Sequence, residues 1–385
     1  MFVMKWRSVR GSAMVPIAAE AAPSKRRVKG PLWARLLILT GCLLVLLSGT
    51  AIVGLQTLVG VANSSVKQAN ILGDARASTN PGANIQGPLN FLVIGSNFRD
   101  WAPGNGERAD TIMIVHVPRG MDRAYLVSIP RDFYYTIKPY PPTHYKGSSE
   151  KIDAALNFGG LPLMSQTIAD LTGLKFNGAV EARFDGFQNA VTTLGGIDLC
   201  VDVKTVSVHI GHDHNGKFAA PYTNTGGHPI PVPGVTPQVY YPGCQHMAAW
   251  QALDYVRQRE LLPAGDYDRQ RHEQQFILAV LKQLGTAGTL TDPIKLNRAI
   301  HDIGQALTVD TNGTPVIDYV YALKDIKPSS LVGLRTPSHP DPNPPYYIRG
   351  DAGIDDLWAG LRNDTLDQFA ATHPDLVNSL HSEQP

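Results

Sequence analysis

Hydrophobic positions form one long uninterrupted run near the start of the chain. No charged residue occurs between Arg35 and Lys67, and residues 36–61 are mostly Leu, Val, Gly and Ala. A helix over this range would be about 40 Å long, enough to cross a bilayer with some tilt. A secretory signal peptide has a shorter apolar region. The run therefore predicts an uncleaved transmembrane helix, and a buried helix of a soluble domain is the alternative.

Beyond residue 88 the apolar positions follow the periods of strands and helices in turn. Short β-branched runs between turn residues predict strands at 89–94, 111–117 and 124–129. Helical spacing of apolar residues follows at 154–158, 163–171, 186–194, 248–256 and 274–284. Strands that alternate with helices predict an α/β layered domain.

Three segments depart from this pattern. Residues 62–88 are rich in Asn, Ser, Gly, Pro and Ala, a composition that predicts a flexible stalk. Residues 204–242 are rich in Gly, Pro and His and predict a long loop insertion. Residues 341–385 carry no site motif and are taken as a C-terminal tail. The intervening residues 89–340 suffice for one hydrophobic core.

The distribution of charge predicts which side of the membrane each part occupies. Eight of the 34 basic residues, but one of the 33 acidic residues, lie in positions 1–35. Because basic flanks stay inside, residues 1–35 are predicted to be a cytoplasmic tail and everything after residue 61 to be extracytoplasmic. The outer part has an acidic excess, which argues against general nucleic-acid binding.

Cysteine usage agrees with export. Cys42 lies in the predicted membrane helix, which leaves Cys200 and Cys244 as an even pair in an oxidising compartment. A bridge between them would contribute roughly 4 kcal/mol in the chain-entropy model. We expect this disulfide, and two buried thiols are the alternative.

Arginines concentrate in one stretch, at Arg257, Arg259, Arg269 and Arg271. Guanidinium groups bind phosphate oxygens bidentately, so such a cluster indicates a diphosphate site. Arg257 and Arg259 share a face only in extended chain, so we expect the preceding helix to end near them and both to reach one pocket. Arg269 and Glu273 have i, i+4 spacing on a helix that begins near Asp266, where the dipole favours anions. A salt-bridged solvated face is the alternative there.

Acidic and basic side chains also meet at the ends of the predicted strands. Asp110 follows Arg108 at a strand edge, where a carboxylate can hold Mg²⁺ together with phosphate oxygens. Arg131 and Asp132 follow the next strand. A structural ion pair is the alternative interpretation of each pair.

Two further groups of residues have simpler alternatives. Lys151 and Asp153 open a helix, where an aspartate is also a common N-cap. The predicted insertion contains four histidines, which as solvated loop residues need not hold a metal: His209, His212, His214 and His228. The chain has no nucleophile elbow, P-loop or HExxH motif.

In chain order, these clusters resemble the LytR-CpsA-Psr family of cell-envelope phosphotransferases, in its actinobacterial form. The resemblance covers residues 89–340 and rests on six collinear stretches: Leu92-Val-Ile-Gly-Ser-Asn97-Phe-Arg99, Arg108-Ala-Asp110-Thr-Ile-Met, Val127-Ser-Ile-Pro-Arg131-Asp132, Lys151-Ile-Asp153-Ala-Ala with Phe158-Gly-Gly, Phe184-Asp-Gly-Phe187 before Leu194-Gly-Gly-Ile, and Gln251-Ala-Leu-Asp-Tyr-Val-Arg257-Gln-Arg259 with Gly265-Asp266-Tyr-Asp-Arg269.

The resemblance implies a fold and an activity. Members of the family move glycopolymers from polyprenyl-diphosphate carriers onto peptidoglycan, outside the membrane. The implied fold is an α/β domain with a central mixed β-sheet flanked by helices. A hydrophobic tunnel for the lipid would open at a Mg²⁺–diphosphate site.

The resemblance also assigns roles by position. Mg²⁺ would be held by Asp110 and Asn97. The catalytic set would be Asp110, Arg131, Arg257, Arg259 and Arg269. The remaining substrate-binding residues would be Arg99, Arg108, Asp132, Lys151, Asp153 and Gln274.

Four residues depart from the family pattern. Asn97 stands where the family usually has Asp, and Asp153 where it usually has Asn. His272-Glu273 replaces the usual Arg-Gln pair. The loss of one anionic metal ligand motivates an alternative function, a catalytically weakened polyprenyl-phosphate-binding or regulatory envelope protein.

Overall fold

The computed structural model describes residues 66–78, 85–97, 106–225, 228–286, 298, 301, 304 and 307–380, which belong to one unit of the chain, Gln56–Pro385. The predicted cytoplasmic tail, the predicted membrane helix and Arg99 lie outside the described residues. Across the described ranges, no helix is long and apolar enough to cross a membrane.

The centre of the fold is a mixed β-sheet, as predicted. In chain order, the strands are β1 Lys67–Gln68, β2 Leu89–Ser96, β3 Ala109–Val117, β4 Ala124–Ser128, β5 Tyr134–Ile137, β6 Ser148–Lys151, β7 Gly178–Arg183, β8 Ile197–Val201, β9 Thr205–Asp213, β10 Phe218–Ala219, β11 Tyr222–Thr225, β12 His228–Pro231, β13 Val235–Tyr240, β14 Gly243–Met247, β15 Leu307–Asp310, β16 Leu331–Arg335, β17 Ser338–Pro340, β18 Ile348–Gly350 and β19 Val377–Asn378. Eight of them form one sheet in the order β1-β15-β7-β2-β3-β4-β16-β19. The neighbours β1–β15, β2–β7 and β4–β16 are parallel and the others antiparallel.

Helices accompany the sheet: α1 Ala154–Thr172, α2 Phe184–Thr193, α3 Ala249–Arg257, α4 Asp266–Thr286, α5 Val316–Leu323, α6 Ile354–Asn363 and α7 Leu366–Thr372. The two helical runs predicted at 154–158 and 163–171 belong to α1, which is interrupted at Gly159 and Gly160. Gly160 has φ +66°, a conformation that favours glycine, and Pro162 fixes the φ with which the helix resumes.

Alternation along β2 separates the packed face of the sheet from the face that carries cavities. Leu92 and Ile94 are fully buried in the main hydrophobic cluster. Val93 and Gly95 occupy the opposite face, because successive positions of a strand alternate between the two faces of the sheet. Both line a cavity on that second face.

The predicted flexible stalk is wrong for its described residues. Val66, Ile71, Leu72 and Ala75 are buried, and β1 pairs with β15. The Asp310 carboxylate accepts hydrogen bonds from the backbone N–H groups of Ile71 and Leu72 at 2.9 and 3.0 Å. The segment contains few large apolar residues among many small and polar ones, so its overall composition does not indicate that these few are buried.

The predicted loop insertion at 204–242 is also wrong, because it folds into strands. β9 lies between β10 and β13 in a three-stranded antiparallel sheet, and β11 pairs with β12. Thr205, Ser207 and Tyr240 are fully buried. Gly and Pro mark the turns between short strands here, so their abundance does not indicate an unstructured loop.

The C-terminal residues pack against the sheet, contrary to the predicted tail. Leu357, Trp358, Leu361 and Phe369, on α6 and α7, are buried in the main core cluster. β19 extends the sheet beside β16. The domain therefore continues past residue 340 to the last described residues.

The predicted disulfide is confirmed. Cys200 on β8 and Cys244 on β14 face each other directly across an antiparallel pair and are bonded. The bridge closes the chain segment that contains β9 to β13. It thus ties both ends of the insertion to the body of the domain.

Candidate active site

A cavity of about 370 Å³ lies on the second face of the sheet, and we call it the polar cavity because charged side chains stand among its apolar walls. All the residues of the predicted catalytic and metal sets line it: Asn97, Asp110, Arg131, Arg257, Arg259 and Arg269. Residues distant in sequence thus meet at one place: just after β2, on β3, in the loop after β4, at and just after the end of α3, and in the first turn of α4.

Arg257 and Arg259 reach the cavity in the predicted way. α3 ends at Arg257, and Gln258 adopts an extended conformation with φ −69° and ψ 138°. This change of backbone lets two arginines spaced two apart reach one cavity. The Arg257 guanidinium lies 4.3 Å from the centre of the Phe184 ring, and Arg259 Nε donates to Glu260 Oε1 at 3.1 Å.

Arg269 and Glu273 form a buried ion pair within α4. Arg269 Nε also donates to Asp266 Oδ1 at 2.9 Å, and Thr111 Oγ1 donates to Glu273 Oε1 at 2.6 Å. Burial raises the pKa of Glu273 to about 7, although Arg269 and Thr111 oppose the shift. Burial also disfavours ionised Asp266, but Arg269 holds the pKa of that carboxyl at about 2. The predicted alternative of a solvated salt-bridged face does not apply, because the Arg269 and Glu273 side chains are only 5% and 10% exposed.

Asp110 reaches the cavity because of a β-bulge. Gly95 pairs with Thr111 while Ser96 pairs with Ala109, so Asp110 is the extra residue of β3. A bulge lets neighbouring side chains point the same way, and both Asp110 and Thr111 line the cavity. Asp110 forms an ion pair with Arg131.

A second polar cluster lies next to Arg131 and does not line the cavity. Lys151 Nζ is 3.0 Å from Asp132 Oδ1, and Arg131 Nε is 3.9 Å from Asp132 Oδ2. Arg108 Nη1 donates to Asp153 Oδ1 at 2.8 Å. The structure therefore places Arg108, Asp132, Lys151 and Asp153 beside the predicted diphosphate site rather than in it.

Asp153 occupies the N-cap position of α1 without capping it. Its side chain makes no cap hydrogen bond and pairs with Arg108. Burial raises the pKa of Asp153 to about 6, against the effect of Arg108. The carboxylate that departs from the family pattern thus serves as a buried partner for an arginine.

The structure corrects the prediction for Gln274, which faces the sheet and does not line the cavity. Its side chain is fully buried, and its Nε2 lies within 3.0 Å of Leu126 O, Ser128 Oγ and Leu334 O. Asn378 Nδ2 donates to its Oε1 at 2.9 Å. Gln274 therefore joins α4 to β4, β16 and β19.

Sequence reasoning missed His209 as a residue of this cavity. Gln258 Nε2 lies 3.0 Å from its Nδ1, and Asp254 Oδ1 lies 3.7 Å from the same nitrogen. Burial lowers the pKa of His209, and the charges of Arg257 and Arg259 add to the effect. The Gly-, Pro- and His-rich composition around β9 predicts a loop, so the sequence holds no signal that would place one of its histidines beside the arginines.

A larger cavity of about 580 Å³ adjoins the polar one. Its walls are almost entirely apolar, with side chains such as Val115, Leu126 and Leu281. Phe276 and Ile277 of α4 line both cavities. The site therefore offers an arginine-rich region next to a larger apolar space.

The LytR_cpsA_psr family model matches residues 55–359 of the chain. The chain belongs to the LytR-CpsA-Psr family. The match covers every strand of the central sheet except β19, together with the arginine-rich segment and the insertion, in one continuous range.

Curated members of the LytR-CpsA-Psr family include relatives of moderate identity. Cell wall biosynthesis protein LcpA of Corynebacterium glutamicum is 23% identical over 84% of this chain, and the chain spans 62% of LcpA. The probable cell wall biosynthesis protein LcpB of the same organism is 28% identical over 73% of this chain and 62% of LcpB. The polyisoprenyl-teichoic acid–peptidoglycan teichoic acid transferase TagU of Bacillus anthracis is 26% identical over 65% of this chain and 71% of TagU.

Several solved structures share this fold. TagV of B. subtilis superposes with a TM-score of 0.54 and 18% identity, over 72% of this chain and 98% of TagV. TagT bound to LI-WTA superposes with a TM-score of 0.53 and 20% identity, over 78% of this chain and 99% of TagT. A LytR-Csp2A-Psr enzyme from Actinomyces oris superposes with a TM-score of 0.51 and 17% identity, over 77% of this chain and 96% of that enzyme. These similarities confirm the mixed α/β fold.

Proposed function

We propose that this chain is a membrane-anchored phosphotransferase that moves a glycopolymer from a polyprenyl-diphosphate carrier onto peptidoglycan outside the cell membrane. The observation that carries the proposal is the adjacency of the two cavities. A polyprenyl diphosphate has an apolar chain joined to a strongly anionic head, and the cavities have matching chemistry side by side. The predicted membrane helix would hold the domain next to the carrier.

The cationic residues would act on the diphosphate. An acceptor hydroxyl attacks the phosphorus that carries the glycopolymer, a general base takes the hydroxyl proton, and the bond to the lipid phosphate breaks. Negative charge then grows on the departing polyprenyl monophosphate. Arg257 and Arg259 would neutralise this charge, and electrostatic stabilisation of that kind is the main source of phosphotransfer catalysis. Arg131 and Arg269 would contribute by exchanging part of their carboxylate contacts for phosphate contacts.

A divalent cation fits the donor set of the cavity. Mg²⁺ takes oxygen ligands and usually only one or two protein carboxylates, with phosphate oxygens and water for the rest. Asp110, Glu260 and Glu273 are the carboxylates that line the cavity, and Glu260 is already paired with Arg259. No group of three or more His, Cys, Asp or Glu side chains suits a metal in the described ranges. When bound, Mg²⁺ would withdraw charge from the diphosphate.

The test is turnover of a polyprenyl-diphosphate-linked glycan by the purified protein. Arg257→Ala and Arg259→Ala should each abolish release of polyprenyl monophosphate. Arg271→Ala is the matched control, since this arginine of the same segment pairs with Asp202 and Asp268 away from the cavity. Unchanged turnover by both cavity variants would refute the proposal.

A second candidate function is capture of polyprenyl phosphates without turnover. It is favoured by the pairing of Arg131 with Asp110 and of Arg269 with Glu273, which leaves less cationic charge for a diphosphate. Tight lipid binding without Mg²⁺-dependent turnover would support this alternative. Rapid Mg²⁺-dependent release of lipid monophosphate would exclude it.

A further inference from the structure

We infer that Glu273 and Asp110 together hold the divalent cation, so that Glu273 supplies the second anionic ligand that Asn97 cannot. This inference rests on the proposed function, because it concerns the cation that would accompany a bound diphosphate. It assigns to Glu273 a role opposite to the one its charge first suggests, repulsion of the substrate.

Glu273 has one engaged and one unengaged oxygen. Oε1 accepts hydrogen bonds from Thr111 Oγ1 and Arg269 Nη1. Oε2 is buried and has no hydrogen-bond partner among the described residues. The side chain is 10% exposed and lines the polar cavity. A buried carboxylate oxygen is costly unless it meets a donor or a cation, so a cation bound at Oε2 would remove this cost.

The bulge in β3 brings the two carboxylates to the same face. Thr111, the residue that donates to Glu273, directly follows Asp110 in the chain. Both Asp110 and Thr111 line the cavity that Glu273 lines. Glu273 therefore approaches β3 at the position next to Asp110, on the side where a diphosphate would lie against the arginines.

Asn97 has another function in the described structure. Its Oδ1 accepts a hydrogen bond from the backbone N–H of Arg108 at 2.8 Å. The backbone N–H of Asn97 donates to the carbonyl of Arg108 at 3.2 Å. These two bonds hold β2 and β3 together where they leave the sheet. The Asn97 amide is neutral, so it adds no anionic ligand to the cavity.

The experiment measures metal binding directly. Full-length protein in detergent would be titrated with Mn²⁺ in the presence of methylenediphosphonate, and free Mn²⁺ followed by electron paramagnetic resonance. Glu273→Gln should weaken Mn²⁺ binding at least tenfold. Asn97→Asp added to Glu273→Gln should restore most of it, because it returns one carboxylate to the cavity. Asp198→Asn, at an exposed residue outside the cavity, is the control.

Each outcome decides the inference. Rescue by Asn97→Asp supports it, and melting curves of every variant show whether the fold is intact. Equal Mn²⁺ affinity in the native protein and Glu273→Gln would overturn it. Unchanged Mn²⁺ affinity with lost turnover in Glu273→Gln would assign Glu273 to proton transfer instead. Failure of the proposed function is separate, since it appears as absent lipid-diphosphate turnover by the native protein.

Discussion

Replacing Glu273 with Gln should stabilise the metal-free fold at alkaline pH and leave it nearly unchanged at acid pH. Burial raises the pKa of Glu273 in the folded protein to about 7, from its usual 4.5. A raised folded-state pKa gives stability that is fully present below pH 4.5 and is lost as the pH rises through 7. The difference between the two pKa values corresponds to about 3 kcal/mol of unfolding free energy.

The glutamine variant mimics the protonated carboxyl at every pH. We therefore expect native and Glu273→Gln fragments 62–385 to differ little at pH 4. At pH 8.5 the variant should be more stable by about 3 kcal/mol. Urea unfolding at both pH values, with the disulfide intact, measures this difference without metal or phosphate present.

Glu260→Gln, in the same cavity, is a control that should change the unfolding free energy at alkaline pH in the opposite direction. Burial disfavours the ionised form of Glu260, but the charge of Arg259 and hydrogen bonds hold its pKa below the usual value. The ionised Glu260 carboxylate therefore stabilises the folded protein at neutral pH, and this stabilisation is lost on acidification. Glu260→Gln should destabilise the fragment at pH 8.5 more than at pH 4. The reasoning fails if Glu273→Gln instead loses stability as the pH rises, because the Arg269 ion pair would then outweigh desolvation.

Three further substitutions test other parts of the structure. Val115→Trp should obstruct the apolar cavity and lower turnover of long-chain carriers at least tenfold while sparing short-chain ones; equal losses in kcat/KM would contradict a lipid site there. Gln274→Leu should lower the unfolding free energy by about 3 kcal/mol, because buried groups of the sheet lose their donor; a stable variant that no longer binds lipid diphosphate would restore the substrate-binding role. Cys244→Ser should remove roughly 4 kcal/mol of stability, and reductant should then have no further effect on its urea midpoint.

The sequence predicted the central strands well because their side chains are packed against the core. β2 and β3 began and ended within two residues of the predicted limits. The stalk, the loop insertion and the tail were predicted wrongly because these predictions relied on amino-acid composition and not on the spacing of apolar residues. Leu357, Trp358 and Leu361 carried helical spacing that the tail assignment ignored, and the short strands of the insertion were concealed by the turn residues between them.

Most residues of the candidate site were predicted, but the contacts between them were not. The resemblance to the LytR-CpsA-Psr family implied that Asp110, Arg257 and Arg259 share one site, and the structure brings them to one cavity. Two features depend on contacts that no local pattern records. The hydrogen bond from Thr111 to Glu273 joins residues 162 positions apart, and the bulge that turns Asp110 into the cavity depends on the register with β2.

The central claim is that this chain performs chemistry on a lipid-linked diphosphate. The most direct measurement is turnover of a polyprenyl-diphosphate-linked glycan by fragment 62–385, with and without Mg²⁺, beside the Asn97→Asp variant. We predict Mg²⁺-dependent release of polyprenyl monophosphate by the native fragment. Release by Asn97→Asp alone, with none from the native fragment, would contradict the account and identify a lipid-binding relative that has lost the activity.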